Sequence, residues 1–199
     1  MQGDDTPRLV FPDTTVLINF ALVDEMALLE RLVAGNGSWC GTVASECHDQ
    51  ASKQGLPQML DAHDIFGTPL LLETRVEFVD FKVNQSFFRE VSKNPDATHA
   101  GESETLAILT SRRIKSVVVS DDGGVPLRLA ALKMQPTIQA TTSWHFFRVA
   151  YWKGHISETR LWDIRRVLLA HRRACPPEVL DPARFASWIR PPGTFSGSA

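Results

Sequence analysis

The chain has 199 residues, 43% of them hydrophobic and 22% charged, which is enough for one sizeable core in an ordinary globular balance. A formal net charge of −2 excludes a protein built around a broad basic surface, so any nucleic-acid contact must rest on a local patch. Three cysteines, Cys40, Cys47 and Cys175, form neither a disulfide framework nor a CxxC pair; no stretch has a signal-peptide pattern and no apolar run approaches the roughly 20 residues of a membrane helix, so the sequence reads as cytoplasmic.

The apolar run Leu9-Val10-Phe11-Pro12 reads as a buried strand that ends in Asp13. Helical spacing follows over Thr14 to Phe20 and Asp24 to Ala34, with Gly35 and Gly37 as the stop. Trp39 to Thr42 predicts a short second strand, and Val43 to Lys53 a helix closed by Gly55 and Pro57. Leu70-Leu71-Leu72-Glu73 predicts a strand, and Phe81 to Val91 an amphipathic helix with Phe87 and Phe88 inward. A helix from Gly101 to about Arg113, a strand at Val117, a helix around Leu127 to Lys133 and a strand at Thr137 to Ala140 complete the alternation. Strands alternating with helices imply an α/β fold with a parallel sheet. Beyond it the chain reads as helical at Trp144 to Trp152, Glu158 to His171 and Glu178 to Trp188, and the small, Gly- and Ser-rich tail from Pro191 reads as disordered.

Acidic residues stand at element ends: Asp13, Glu46, the pair in Gly101-Glu102-Ser103-Glu104, and Asp121-Asp122 after the strand Val117-Val118-Val119. Open parallel sheets place their chemistry at the carboxyl ends of strands. Carboxylates converging on one crevice repel one another unless cations neutralise them, and Mg²⁺ or Mn²⁺ on oxygen ligands is the composition of a phosphodiester-cleaving site. Each acid alone has a plainer explanation, as a helix cap at Asp13, a helix-dipole partner at Glu46, Glu102 and Glu104, or a turn at Asp121-Asp122.

Taken together, these segments resemble the PIN-domain ribonucleases, close to the toxin halves of bacterial toxin-antitoxin pairs of the VapBC type. The matching residues are Phe11-Pro12-Asp13-Thr14-Thr15-Val16-Leu17-Ile18-Asn19, Ala44-Ser45-Glu46, Gly101 to Leu109, and Val118-Val119-Ser120-Asp121-Asp122. The resemblance implies a three-layer α/β/α nuclease domain over residues 8–150, a helical extension over 151–190, and a tail over 191–199. It implies a metal-dependent endoribonuclease whose Asp13, Glu46, Glu104 and either Asp121 or Asp122 hold Mg²⁺ or Mn²⁺, with RNA as substrate. A cognate antitoxin and a homodimer are the partners it implies. Glu104 is preferred over Glu102 because it precedes the apolar helix face. Thr15 stands where the family often has Asn, and the resemblance does not extend beyond Trp152.

Two other readings compete with this one. A phosphatase with its nucleophilic Asp after the first strand needs a second Asp two residues on, where this chain has Thr15. A catalytically silent PIN-like module that binds RNA or protein would not need every acid position filled. Glu46-Cys47-His48-Asp49 lacks zinc-ligand spacing, because neighbouring helical residues diverge. The six histidines, His99 among them, are scattered and read as surface or packing residues. Arg112-Arg113, Arg165-Arg166 and Arg172-Arg173 read as solvated faces that gain a phosphate-binding role only if they flank the acids, and the C-terminal tryptophans as core or as a partner interface.

Overall fold

Three short apolar runs become the parallel strands β1 (Leu9–Pro12), β2 (Ser116–Val119) and β3 (Ile138–Thr141), hydrogen-bonded in that order. The computed structural model in which they are seen describes residues 8–92, 98–134 and 137–191. β1 leads into α1 (Thr14–Leu22), α2 (Met26–Val33) and α3 (Gly41–Lys53), followed by a 3₁₀ turn over Pro57–Asp61 and α4 (Ala62–Phe66). α5 (Arg75–Val91) and α6 (Ala100–Ser111) precede β2, and α7 (Gly124–Leu132) joins β2 to β3. The remainder is helical: α8 (Ser143–Trp152), α9 (Glu158–Ala170), α10 (Pro177–Leu180) and α11 (Pro182–Trp188).

Side chains alternate across a strand, so each face of the sheet meets its own helices. Phe11, Val118 and Ile138 pack with Phe88 of α5, Leu106 and Leu109 of α6, and Val125 and Leu129 of α7. Val119, from the opposite face, packs with α1, α2, α3 and α8. The fold is therefore α/β with helices on both sides of a small parallel sheet.

The expected strands at Trp39 to Thr42 and at Leu70 to Glu73 do not form. Gly41 is already helical, which leaves isolated bridges between Val10 and Gly37 and between Cys40 and Leu70. The backbone still bonds as an extension of the sheet: Ser38 N donates to Val10 O at 2.9 Å, and Leu70 N to Trp39 O at 2.9 Å. The helix expected from Phe81 starts earlier, because Thr74 and Glu77 form a reciprocal capping box in front of Arg75. The single helix expected over Glu178 to Trp188 is two, because the residue before a proline is driven out of the helical region and Asp181 before Pro182 has φ −96° and ψ 125°.

The extension beyond residue 150 shares the core of the rest. Leu161, Ile164 and Leu168 of α9, Val179 of α10 and Phe185 of α11 are buried in the same cluster as Leu17, Leu28 and Val43. Trp144 is fully buried and its Nε1 donates to Ala174 O at 2.9 Å; Trp152 Nε1 donates to Ile189 O at 2.7 Å. Arg165 donates to Val179 O and Leu180 O, tying α9 to α10, and Arg160 joins Glu25 at 2.7 Å and the Val23 carbonyl. Much of the aromatic surface that suggested a partner interface is thus used within the chain, as is Arg165, while Arg166 and Arg172 remain exposed. Residues 192–199 of the tail lie outside the described residues. Among the described residues no helix is long and apolar enough to cross a membrane.

The helix pair α5 and α6 is locked by a buried ion pair. Arg112 Nε donates to Glu77 Oε1 at 2.7 Å and its second nitrogen to Oε2 at 3.3 Å, holding the Glu77 carboxyl down at about 2. Glu77 is 2% exposed, so removing Arg112 strands a charge in the interior. Arg112→Met is expected to cost about 2–3 kcal/mol, below the full penalty for a broken buried pair because Arg112 is partly wet. The stability that Glu77 contributes is present above its ordinary pKa of 4.5 and is lost as pH falls toward about 2. Urea melts across that window should show a shallower acid decline for the variant than for the wild type.

Candidate metal centre

The parallel register brings separate segments to one edge. Pro12 pairs with Val119 and Val119 with Thr141, so Asp13, Ser120-Asp121-Asp122 and Thr142-Ser143 all leave the sheet on the same side. Asp13 N donates to Val119 O at 2.8 Å and Ser120 N to Thr141 O at 2.9 Å, holding the exits together. α6 brings Glu102 to that edge in its first turn, and α3 brings Glu46 from its second turn, one turn further along than the sequence suggested. Gly101 permits the approach: a Cβ there would meet Val43 Cγ2 at 2.9 Å and lie 3.5 Å from Glu46 Oε2 and 3.7 Å from Asp13 Oδ1.

A cavity of about 490 Å³ opens here, with Asp13, Glu46, Glu102, Asp122 and His99 in its wall. The carboxylates are oriented by neighbouring hydroxyls and amides. Thr15 Oγ1 donates to Asp13 Oδ2 at 2.7 Å and Thr14 Oγ1 to Glu46 Oε2 at 2.5 Å; Gly124 N donates to Asp122 Oδ1 at 3.0 Å. Burial pushes the Asp13 carboxyl above its usual range against the pull of the Thr15 hydroxyl, and the charge of Asp122 adds to the rise. Glu46 is raised by burial and then by Asp13 and Glu104. Glu102 is pushed up to about 9, first by burial and then by Asp13, Asp122 and Glu46. Asp13, Glu46 and Glu102, raised by burial and by neighbouring acids, make the crevice suited to positive charge.

A second cavity of about 630 Å³ continues from the first, sharing Thr15, Ser92 and Asp122, and ends at Arg172 and Arg173. Arg173 Nε donates to Asn19 Oδ1 at 2.5 Å and its terminal nitrogen to Thr15 O at 3.1 Å. Asn19 Nδ2 in turn donates to Asp121 Oδ2 at 2.7 Å, and Ser143 reaches Asp121 through its backbone N at 3.0 Å and its hydroxyl at 2.6 Å. An acidic half and a basic half therefore form one crevice.

The structure separates residues that the sequence had left together. Residues two apart on a helix point to nearly opposite sides. Glu102 takes the crevice, while Glu104, preferred from sequence, turns to the start of α3 and accepts the Thr42 N–H at 2.7 Å. Of the two aspartates, Asp122 faces Glu102 and His99, whereas both oxygens of Asp121 are engaged by Asn19 and Ser143. His99, read from sequence as a surface or packing residue, lines the same crevice; its position three residues before Glu102 at a helix start was the available signal. Asn19 and Ser143 were missed, since their mutual contact spans 124 residues, whereas Arg173, given a phosphate role only if it flanked the acids, does lie beside them through Asn19.

Comparison of the chain with protein-family models, with curated proteins and with solved structures found no match in any of the three.

The raised carboxyl of Glu102 makes stability pH-dependent. Between its ordinary value of 4.5 and about 9 the folded chain keeps a proton that the unfolded chain has lost, so its contribution is full below 4.5 and lost as pH rises toward 9. In chelator-treated protein the melting temperature should fall over that range, and Glu102→Gln should flatten the fall. An unchanged slope in the variant would show that Glu102 carries no such burden.

Proposed function

We propose that the chain is a PIN-like, metal-dependent endoribonuclease that hydrolyses RNA phosphodiester bonds. The observation that carries this reading is the crevice itself, where Asp13, Glu46, Glu102 and Asp122 converge at the carboxyl edge of a parallel sheet and burial with neighbouring charge raises the proton affinity of the first three. The donor set fits a divalent cation: oxygen ligands predominate, and Nδ1 of the buried His99 ring lies 3.7 Å from both Glu102 Oε1 and Asp122 Oδ2. Mg²⁺ or Mn²⁺ held there would supply a hydroxide nucleophile near neutral pH and neutralise charge on the phosphodiester oxygens.

The chain's own residues account for the rest. The hydroxyls of Thr14 and Thr15 fix the Glu46 and Asp13 carboxylates, so their charge is already oriented when a substrate arrives. Asp121 acts as an anchor, holding Asn19 and Ser143 and, through Asn19, Arg173. Arg172 and Arg173 give the neighbouring phosphates of a strand a place to bind when one phosphate lies over the acids. The choice of RNA over DNA, and the roles of toxin and antitoxin-bound dimer, follow from the sequence resemblance. An antitoxin in this scheme would act by filling the crevice.

Asp13→Asn tests the chemistry, because it preserves volume and deletes one charge. Cleavage of a labelled single-stranded RNA in Mg²⁺ or Mn²⁺ should fall at least about a hundredfold, the loss expected when several kcal/mol of charge stabilisation are removed. The metal-free variant should melt no lower than the wild type. Cleavage at the wild-type rate would end the proposal, and a parallel single-stranded DNA substrate tests the choice of nucleic acid.

The basic end of the crevice gives a separate check. Arg172→Gln should weaken RNA binding and lower the slope of log affinity against log salt by about one phosphate contact. Equal slopes would remove Arg172 from the strand's path.

A further inference from the structure

His99 is a costly residue to place where it is. It is 8% exposed and takes the left-handed backbone conformation at φ 48°, a region disfavoured for a residue with a side chain. Its backbone carbonyl is used by Ser103, whose N and Oγ both donate to it. Its ring stacks on Phe88 with centroids 5.7 Å apart, and Nε2 is buried without a hydrogen-bond partner among the described residues. Nδ1 points between two acids, 3.7 Å from Glu102 Oε1 and 3.7 Å from Asp122 Oδ2.

Those separations are too long for hydrogen bonds. They suit ligand atoms that share one ion, since two donors each about 2.0–2.2 Å from a small divalent metal lie roughly 3–4 Å apart. One donor atom from each of His99, Glu102 and Asp122 can be chosen so that all three lie within 4.8 Å of one another. The same two acids are among those whose mutual repulsion a cation would relieve. The segment also presents the ligands together: His99 sits at the N-cap position of α6 and Glu102 in its first turn, three residues on, while Asp122 is held opposite by the Gly124 N–H.

We infer that His99, Glu102 and Asp122 hold one divalent metal ion through Nδ1 and one oxygen each, and that the imidazole makes the crevice select Mn²⁺ over Mg²⁺. Mg²⁺ takes oxygen ligands almost exclusively and sheds water reluctantly, whereas the first-row transition ions accept a neutral imidazole. A site of carboxylates alone suits either ion. The inference rests on the crevice being a metal site and not on the reaction performed there. It assigns a nitrogen ligand to a set that the sequence resemblance makes wholly acidic.

The test is metal binding by the full chain after chelator treatment, followed by calorimetry for Mg²⁺ and Mn²⁺ and by pulsed electron paramagnetic resonance of bound Mn²⁺. Mn²⁺ should bind at least about tenfold more tightly than Mg²⁺, and the Mn²⁺ signal should carry coupling to an imidazole nitrogen. His99→Gln should abolish that coupling and reduce Mn²⁺ affinity about tenfold, with Mg²⁺ affinity changing far less. Glu102→Gln, which keeps the ring, should weaken Mn²⁺ and retain the nitrogen coupling, so a failure of His99→Gln to fold leaves the assignment testable. Bound Mn²⁺ without nitrogen coupling in the wild type, or coupling that persists in His99→Gln, overturns the inference. RNA cleavage is scored separately. Nitrogen-bound Mn²⁺ in a protein that leaves RNA intact keeps this site and removes the nuclease reading, and cleavage without nitrogen coupling does the reverse.

Discussion

Repulsion among buried carboxylates is the constraint around which the rest of the molecule is arranged. A parallel sheet brings the ends of β1 and β2 side by side, so Asp13 and Asp121-Asp122 share one edge before any helix is added. The helices then add Glu46 and Glu102 to the same space, where an apolar filling would have been less costly to bury. What makes the cluster tolerable in the folded chain is a set of short local donors: Thr14 to Glu46, Thr15 to Asp13, and Gly124 to Asp122. These reduce the carboxylate penalty without supplying positive charge. The charge must come from outside or from Arg173, whose guanidinium is itself less easily kept charged because it is half-buried, and is helped by Asp121 and Asp13.

The scaffold answers that tension with rigidity elsewhere. The capping box at Thr74 and Glu77 starts α5, and the same Glu77 carboxylate receives Arg112 from the end of α6, so one side chain caps one helix and ties it to the other. α6 is the helix that carries Glu102, and its register against α3 is set by the closeness that Gly101 allows. Position at the site therefore depends on packing well outside it, and a shift of α6 by one residue would exchange Glu102 for a neighbour facing the core.

Much of this was legible from the residues alone. The alternation of apolar runs with helical spacing identified all three strands of the sheet, and the acids after Pro12 and Val119 were readable as strand-end groups because strand ends in parallel sheets coincide. What was not legible had specific causes. Trp39 to Thr42 has the composition of a strand, but Trp39 is held by the Gly67 carbonyl and Gly41 begins a helix, outcomes set by tertiary partners. Glu102 and Glu104 differ only in which side of α6 faces the sheet edge, and local sequence does not contain that rotation. His99 carries no pattern by itself; its meaning lies in Asp122, which approaches from a strand end 23 positions later in the chain.

The chain beyond residue 150 illustrates the same limit from the other side. Judged by resemblance it is an appendage, and its tryptophans and arginines looked like surface awaiting a partner. Its core residues are instead buried with α1, α2 and α3, and its Arg160 reaches Glu25 at the N-cap of α2 while Arg173 reaches Asn19 within α1. Arg173 is the more consequential contact, because Asn19 passes it to Asp121 and thence to Ser143 at the start of α8. A chain cut after α8 would leave Asn19 Oδ1 without the Arg173 donor and remove the guanidinium that offsets the charge of Asp121 and Asp13. The helical extension thus completes the electrostatics of the crevice, supplying its positive wall, and the boundary near residue 150 divides a sequence pattern without dividing a physical unit.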